Sequence, residues 1–180
     1  EFGEFCTQRS SLINSNVSLW ANTVGSEDCL NLNIWSPKAN ENEILDSKKY
    51  PVMVWIHGGS NMSGNSDFYN PMQLVKNHNV IVVTINYRLG PFGWFNHPSI
   101  NKLSNKINSS GNYGNLDTIQ ALEWVQTNIV NFGGDKNNVT IFGESAGGYN
   151  VLSLLVSPQS KGLFHKEISQ SGYTTSISTD

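Results

Sequence analysis

Two apolar runs, Pro51-Val-Met-Val-Trp-Ile56 and Val80-Ile-Val-Val-Thr-Ile85, limit the fold more than any other feature of the sequence. Neither alternates with polar residues, so each must be buried on both faces, as a central strand of a parallel sheet is. A short helix is predicted between them, over 71–78. Ahead of them Leu30, Leu32 and Ile34 alternate with Asn31, Asn33 and Trp35, the pattern of a half-buried strand. Beyond them Leu116, Ile119, Leu122, Val125 and Ile129 recur on one face of a helix predicted over 116–130. Phe132-Gly-Gly-Asp135 closes that helix, because Gly accepts the left-handed cap. Val139–Phe142 is a third strand. A helix follows from near Ala146 to about Val156, stopped by Pro158, and Glu167–Gln170 can add one more strand. Residues 1–28, 37–50, 57–67 and 90–115 are rich in Ser, Asn, Gly or Pro and are expected as loops, the last a long surface excursion. Strands alternating with crossover helices give an α/β fold with a mostly parallel central sheet, and the 180 residues suit one domain.

Composition narrows the function class. A net charge of −3 and a pI near 5.8 leave no basic stripe to release counterions, so no nucleic-acid partner is expected. The apolar runs fall far short of the ~18 residues that span a bilayer. Charged residues are only 14% of the chain, and 24 asparagines supply much of the polarity instead. The chain starts at Glu1 with no charged segment and apolar core ahead of it, so no signal peptide is visible. Cys6 and Cys29 can form a disulfide or remain two buried thiols, and the count alone leaves this open. No cofactor and no metal are expected, and the oligomeric state is not indicated.

Ligands of such sheets sit at the carboxyl ends of the strands. After the third strand comes Gly143-Glu-Ser-Ala-Gly147, a G-x-S-x-G with a strand running in and a helix running out. A Ser on that sharp turn is held in a strained conformation that lifts its hydroxyl clear of the sheet. Gly143 and Gly147 stand where strand and helix approach too closely for side chains. After the first central strand comes His57-Gly-Gly-Ser60. In ester hydrolases of this architecture an HGGG-type loop donates backbone N–H groups to the tetrahedral oxyanion, together with the amide just after the nucleophile, here Ala146. His57 stands at the strand end before the loop and is expected to position it, not to act as base.

These motifs and their surroundings resemble the type-B carboxylesterases and cholinesterases. The resemblance rests on Ser26-Glu-Asp-Cys-Leu-Asn-Leu-Asn-Ile-Trp35, Val54-Trp-Ile-His-Gly-Gly59, Asn86-Tyr-Arg-Leu-Gly90, Gly111-Asn-Tyr-Gly-Asn-Leu-Asp117, Ala121-Leu-Glu-Trp-Val125, Asn131-Phe-Gly-Gly-Asp135 and Val139–Gly148. They stand in family order, from about Cys6 to Gly172. The resemblance implies an α/β-hydrolase fold with helices on both faces of the sheet, and cleavage of small carboxylic esters. It carries Ser145 over as nucleophile, with the amides of Gly59, Ser60 and Ala146 as the oxyanion hole. The family often has a third Gly where this chain has Ser60, and commonly an aromatic where it has Asn61. Cys6 and Cys29 fall where the family closes a loop with a disulfide. Arg88 and Asp117 match a buried ion pair that ties the 90–115 excursion to the core. Trp20 lies near the family's cation-stacking tryptophan, though ordinary loop packing suits it better. Of the N-x-S/T sequons at Asn16, Asn61, Asn108 and Asn138, Asn108 has the most loop-like setting and is the glycan candidate.

The triad of this fold runs Ser, acid, His along the chain. His165 is the one histidine after Ser145, and it falls in a stretch that matches the family's core beyond the nucleophile helix. The family's acid and base lie far downstream. Residues 1–180 are therefore expected to be part of one such domain, truncated at both ends and inactive alone, from a secreted or ER-lumen esterase. The alternative is a catalytically silent cholinesterase-like adhesion or storage protein, a class that often lacks the serine kept here.

Overall fold

The computed structural model describes residues 2–10, 22–37, 49–101 and 110–174. Trp20, Asn16 and Asn108 lie outside the described residues. Strands β1 (Gln8–Arg9) and β2 (Thr23–Val24) pair as a short antiparallel ribbon. The main sheet contains β3 (Leu32–Trp35), β4 (Tyr50–Ile56), β5 (Ile81–Ile85), β6 (Gly134–Glu144) and β7 (Lys166–Gln170) in the order β3-β5-β4-β6-β7. Only β3 runs antiparallel, at the edge beside β5; the other neighbours are parallel. The two apolar runs thus become adjacent inner strands, and the alternating segment becomes the half-buried β3.

Helices α1 (Met72–His78), α2 (Gly90–Trp94), α3 (Pro98–Asn101), α4 (Tyr113–Asn128) and α5 (Ala146–Val156) fill the connections. Val52, Val54 and Ile56 of β4 share one core with Ile81, Val83 and Ile85 of β5, Leu122 and Val125 of α4, and Val151 and Leu154 of α5. Val82 has the opposite parity and is buried outside that cluster, which fits cover on the sheet's second face. The long α4 continues into a 3-10 turn over Ile129–Phe132, and Gly133 ends it at φ 81°. The 1–28 region, expected as loop, contributes the β1–β2 ribbon. Two-residue strands leave no periodicity for a sequence pattern to show.

Much of the polar stitching is done by amides. Asn86 donates to Asn31 Oδ1 (3.2 Å) and accepts from the Ser66 N–H (2.8 Å). Asn33 donates to Ser66 Oγ (2.9 Å), and Asn31 donates to the Glu4 carbonyl (2.6 Å). Cys6 and Cys29 are joined by a disulfide, both nearly fully buried. It closes a loop whose ends also meet through the Thr7 N–H to Ser26 carbonyl bond (3.0 Å).

Candidate active site

The strand register brings three carboxyl ends together. Ile56 of β4 pairs with Gly143 of β6, and Glu144 of β6 pairs with Gln170 of β7. The chain leaves β6 at Glu144 and enters α5 at Ala146, so Ser145 alone makes the turn. It does so at φ 54°, ψ −121°, a region that L-residues rarely occupy. Its N–H donates to the Gln170 carbonyl (2.9 Å), and its carbonyl accepts the first bond of α5, from Tyr149 (2.9 Å). The N–H groups of the first helical turn, Ala146 included, have no partner within the helix and carry its positive end.

The glycines at either side are required by packing. A Cβ on Gly143 would stand 2.6 Å from the Gly147 carbonyl oxygen and 2.7 Å from that of Ile56. A Cβ on Gly147 would overlap the Ile56 carbonyl oxygen outright. Helix α5 therefore starts directly on the backbone of β4, which aims its N-terminus at the loop leaving that strand.

That loop lies against the serine. A Cβ on Gly58 would be 2.8 Å from the Glu144 carbonyl oxygen and 3.3 Å from Ser145 Cβ. Gly59 turns at φ 100°, and Ser60 and Asn61 follow in the left-handed region at φ 57° and 56°. The Gly59 carbonyl accepts from the N–H groups of Met62 and Ser63 (both 3.0 Å). Gln8 of β1 clamps the far end of the loop. It donates to the Gly64 carbonyl (2.9 Å) and accepts from the Gly64 N–H (2.8 Å).

His57 is buried beneath the loop. Its Nδ1 contacts the Gly58 carbonyl (2.8 Å), and its ring stacks on Tyr87 with centroids 4.3 Å apart. Burial pushes its pKa down to about 4, against a smaller upward pull from the Gly58 carbonyl. The Tyr87 hydroxyl donates to the His57 carbonyl. His57 is thus a neutral wall of the loop. In the unfolded chain its pKa is near the ordinary 6.5, so the unfolded state takes up the proton first as pH falls. The contribution of the buried neutral ring is whole above about pH 6.5 and is lost as pH falls towards 4. The expected loss is about 3 kcal/mol, from ~1.4 kcal/mol per unit. Denaturant midpoints of the full-length protein between pH 7.5 and 4.5 should fall accordingly, and His57→Gln should flatten that slope.

Arg88 and Asp117 meet in bidentate geometry, Nε to Oδ2 at 2.8 Å and Nη2 to Oδ1 at 2.7 Å, with the Arg88 N–H adding a third bond to Oδ2 (3.0 Å). The guanidinium also lies over the Tyr113 ring at 5.3 Å. The pair is less enclosed than the resemblance implies: Asp117 is buried, but the Arg88 side chain is 37% exposed. Its tie is between the end of β5 and the first turns of α4. Arg88→Ala leaves the buried carboxylate with one of its three bonds. With solvent reaching the arginine, the expected cost is about 2 kcal/mol rather than the ~3–5 kcal/mol of a fully enclosed pair. A lowered denaturant midpoint with unchanged KM in the full-length protein is the expected result; an unchanged midpoint would show that the pair adds nothing.

None of the other described histidines hydrogen-bonds the serine. His165 Nδ1 accepts from the Val139 N–H (3.2 Å), and His97 Nδ1 accepts from the Ser99 N–H (3.2 Å) and stacks on Phe95. His78 is in the last turn of α1. Among the described residues, no side chain hydrogen-bonds the Ser145 hydroxyl. No group of His, Cys, Asp and Glu among them could hold a metal ion. The sequence motifs do not single out Asn150. It is buried in α5 and hydrogen-bonded to Asn61 of the loop, and its spacing of 89 residues gives no signal.

The Carboxylesterase family model matches residues 1–179. The chain belongs to the carboxylesterase family. Liver carboxylesterase 1 of Oryctolagus cuniculus is 51% identical over 147 residues, covering 82% of this chain and 24% of the relative. The medium-chain fatty acyl-CoA hydrolase precursor of Anas platyrhynchos is 48% identical, covering 84% and 25%. A solved thermophilic PNB esterase superposes with a TM-score of 0.83 at 42% identity, covering 98% of this chain and 34% of that one. The carboxylesterase chain described here thus spans about a quarter of the length of the curated relatives it matches. Its fold is that of the α/β-hydrolases, with a mostly parallel sheet. No helix among the described residues is long and apolar enough to cross a membrane.

Proposed function

We propose that the full-length protein is a serine carboxylic-ester hydrolase and that residues 1–180 are the part of its single catalytic domain that carries the nucleophile and the oxyanion amides. The observation that carries this is the conformation of Ser145, strained at φ 54° between two glycines that packing requires. Nothing in the folding of the segment needs a serine there; a glycine would make the same turn without strain. The cost is justified by a hydroxyl presented at the carboxyl edge of the sheet.

In the reaction the Ser145 Oγ–H loses its proton to a base while Oγ bonds to the ester carbonyl carbon. The carbonyl oxygen becomes an oxyanion, met by the N–H groups of Gly59, Ser60 and Ala146. Each such donor is worth about 2.7–4 kcal/mol in the transition state. The C–O bond to the alcohol then breaks, the alcohol leaves with the proton, and the acyl group stays on Ser145. Water repeats the sequence, releasing the carboxylic acid and restoring the hydroxyl. The base and its acid partner come from outside residues 1–180: His57 is buried, and no histidine among the described residues hydrogen-bonds the Ser145 hydroxyl. A serine hydroxyl without such a base is a weak nucleophile, so residues 1–180 alone should not turn over. The retained Ser145 speaks against the silent adhesion or storage alternative.

A fluorophosphonate probe tests the assignment. The full-length protein should be labelled, and peptide mapping should place the label on Ser145. Labelling at another residue, or none, sinks it.

We also propose that the protein folds in the secretory pathway, in the ER lumen or outside the cell. The support is the Cys6–Cys29 disulfide, which closes a 23-residue separation and would add roughly 3 kcal/mol. Protein from its native cells, digested without reduction, should yield the two cysteine peptides linked; free thiols would overturn the location.

A further inference from the structure

The oxyanion loop and the nucleophile helix are separate stretches of chain, and the reaction needs their amides in register. Helix α5 fixes the Ala146 N–H through Gly147, packed on β4. The loop is held at its two ends, by Gly58 against Glu144 and Ser145 and by Gln8 at Gly64, but between them Gly59, Ser60 and Asn61 all turn through positive φ. Two consecutive non-glycine residues in the left-handed region persist only where surroundings over-determine them.

A reciprocal amide pair bridges the two. Asn150 Nδ2 donates to Asn61 Oδ1 (2.9 Å), and Asn61 Nδ2 donates to Asn150 Oδ1 (3.3 Å). Asn150 is 1% exposed and stands five residues after Ser145 on α5. The Tyr87 hydroxyl holds the His57 carbonyl at the base of the same loop. The Asn61 carbonyl accepts from the Gly90 N–H (2.7 Å), fixing the loop's outer side. The side-chain pair therefore joins the residue next to Ser60 to the helix whose first N–H is that of Ala146.

We propose that Asn61 and Asn150 are positioning residues for ester hydrolysis: their paired amides set the Gly59–Ser60 amides at the distance from the Ala146 N–H that the oxyanion requires. This rests on the assignment of Ser145 as nucleophile. The pair touches no reacting atom. Its contribution is to the geometry of the transition state, where a displacement near 1 Å costs on the order of 10²-fold.

Asn61→Gly is the decisive variant, since glycine is at ease at φ 56° and only the amide is lost. Asn150→Ala removes the other half, and the double variant removes both. In the full-length protein with p-nitrophenyl acetate, each single variant should lose about 10- to 100-fold in kcat with KM within twofold. The double variant should be no worse than the more damaged single, because the two act as one unit. Lowered thermal midpoints with kcat within twofold of the parent overturn the proposal and leave a merely structural pair, and so do losses that multiply in the double variant. A parent that neither turns over the ester nor labels at Ser145 overturns the nucleophile assignment and the positioning role together. A parent that labels while the variants keep full kcat overturns the positioning role alone.

Discussion

Ser145→Ala in the full-length protein should lose about 10⁶-fold in kcat on p-nitrophenyl acetate and all fluorophosphonate labelling, with little change in stability. The serine hydroxyl makes no side-chain hydrogen bond among the described residues, so nothing in the fold depends on it. Alanine keeps the Cβ and with it the backbone strain. Ser145→Gly separates the two properties. It removes the same hydroxyl, but it also releases a residue held at φ 54°, ψ −121°, and should raise stability by about 1–2 kcal/mol. A matched loss of activity with opposite stability effects is the expected signature of a nucleophile held under strain. Activity persisting in either variant would place the nucleophile elsewhere.

Gly147→Ala should be the most damaging single methyl in the segment. The added carbon would fall onto the Ile56 carbonyl oxygen and within 2.8 Å of the His57 carbonyl oxygen. Both are backbone atoms at the end of an inner strand, and neither can turn aside as a side chain could. The start of α5 would have to lift from β4, taking Ser145 and Ala146 away from the Gly58 loop. A loss above about 4 kcal/mol is expected, enough to abolish soluble expression of a domain of ordinary stability. Gly162→Ala is the control. Gly162 has φ 82°, but an added methyl there would meet nothing within 4 Å, so only the backbone preference is lost, about 1–2 kcal/mol. Equal soluble yields for the two variants would mean that α5 does not rest on β4 as described.

The inner strands and the elbow are legible in the sequence because burial on both faces and a strand–turn–helix context leave strong local marks. Val80–Ile85 and Ala146–Val156 agree with the observed elements to within about a residue. The roles of Gly143 and Gly147 follow from the G-x-S-x-G spacing in its strand–turn–helix context, and the register of β4 on β6 gives the atoms that enforce them. The 90–115 excursion is less legible. Its first residues form α2, whose Trp94 fills the space that a side chain on Gly114 would need. A Gly- and Pro-rich stretch conceals packing of that kind. The partnership of Asn61 with Asn150 is not legible at all. In a chain with 24 asparagines, one more carries no information, and only the fold brings two of them face to face.

The asparagine-rich stitching has a consequence for the medium in which such a protein works. Asn31, Asn33, Asn61, Asn86 and Asn150 hold loops and strands together through dipoles rather than charges. Mobile ions screen charges, and an amide presents none to screen or to titrate. Ionic screening and titration therefore act on these cross-links far less than on an ion pair. pH and ionic strength act instead on ionisable groups such as the buried ring of His57 and the Arg88–Asp117 pair. Added salt should therefore weaken the partly exposed Arg88–Asp117 pair while leaving these amide contacts in place.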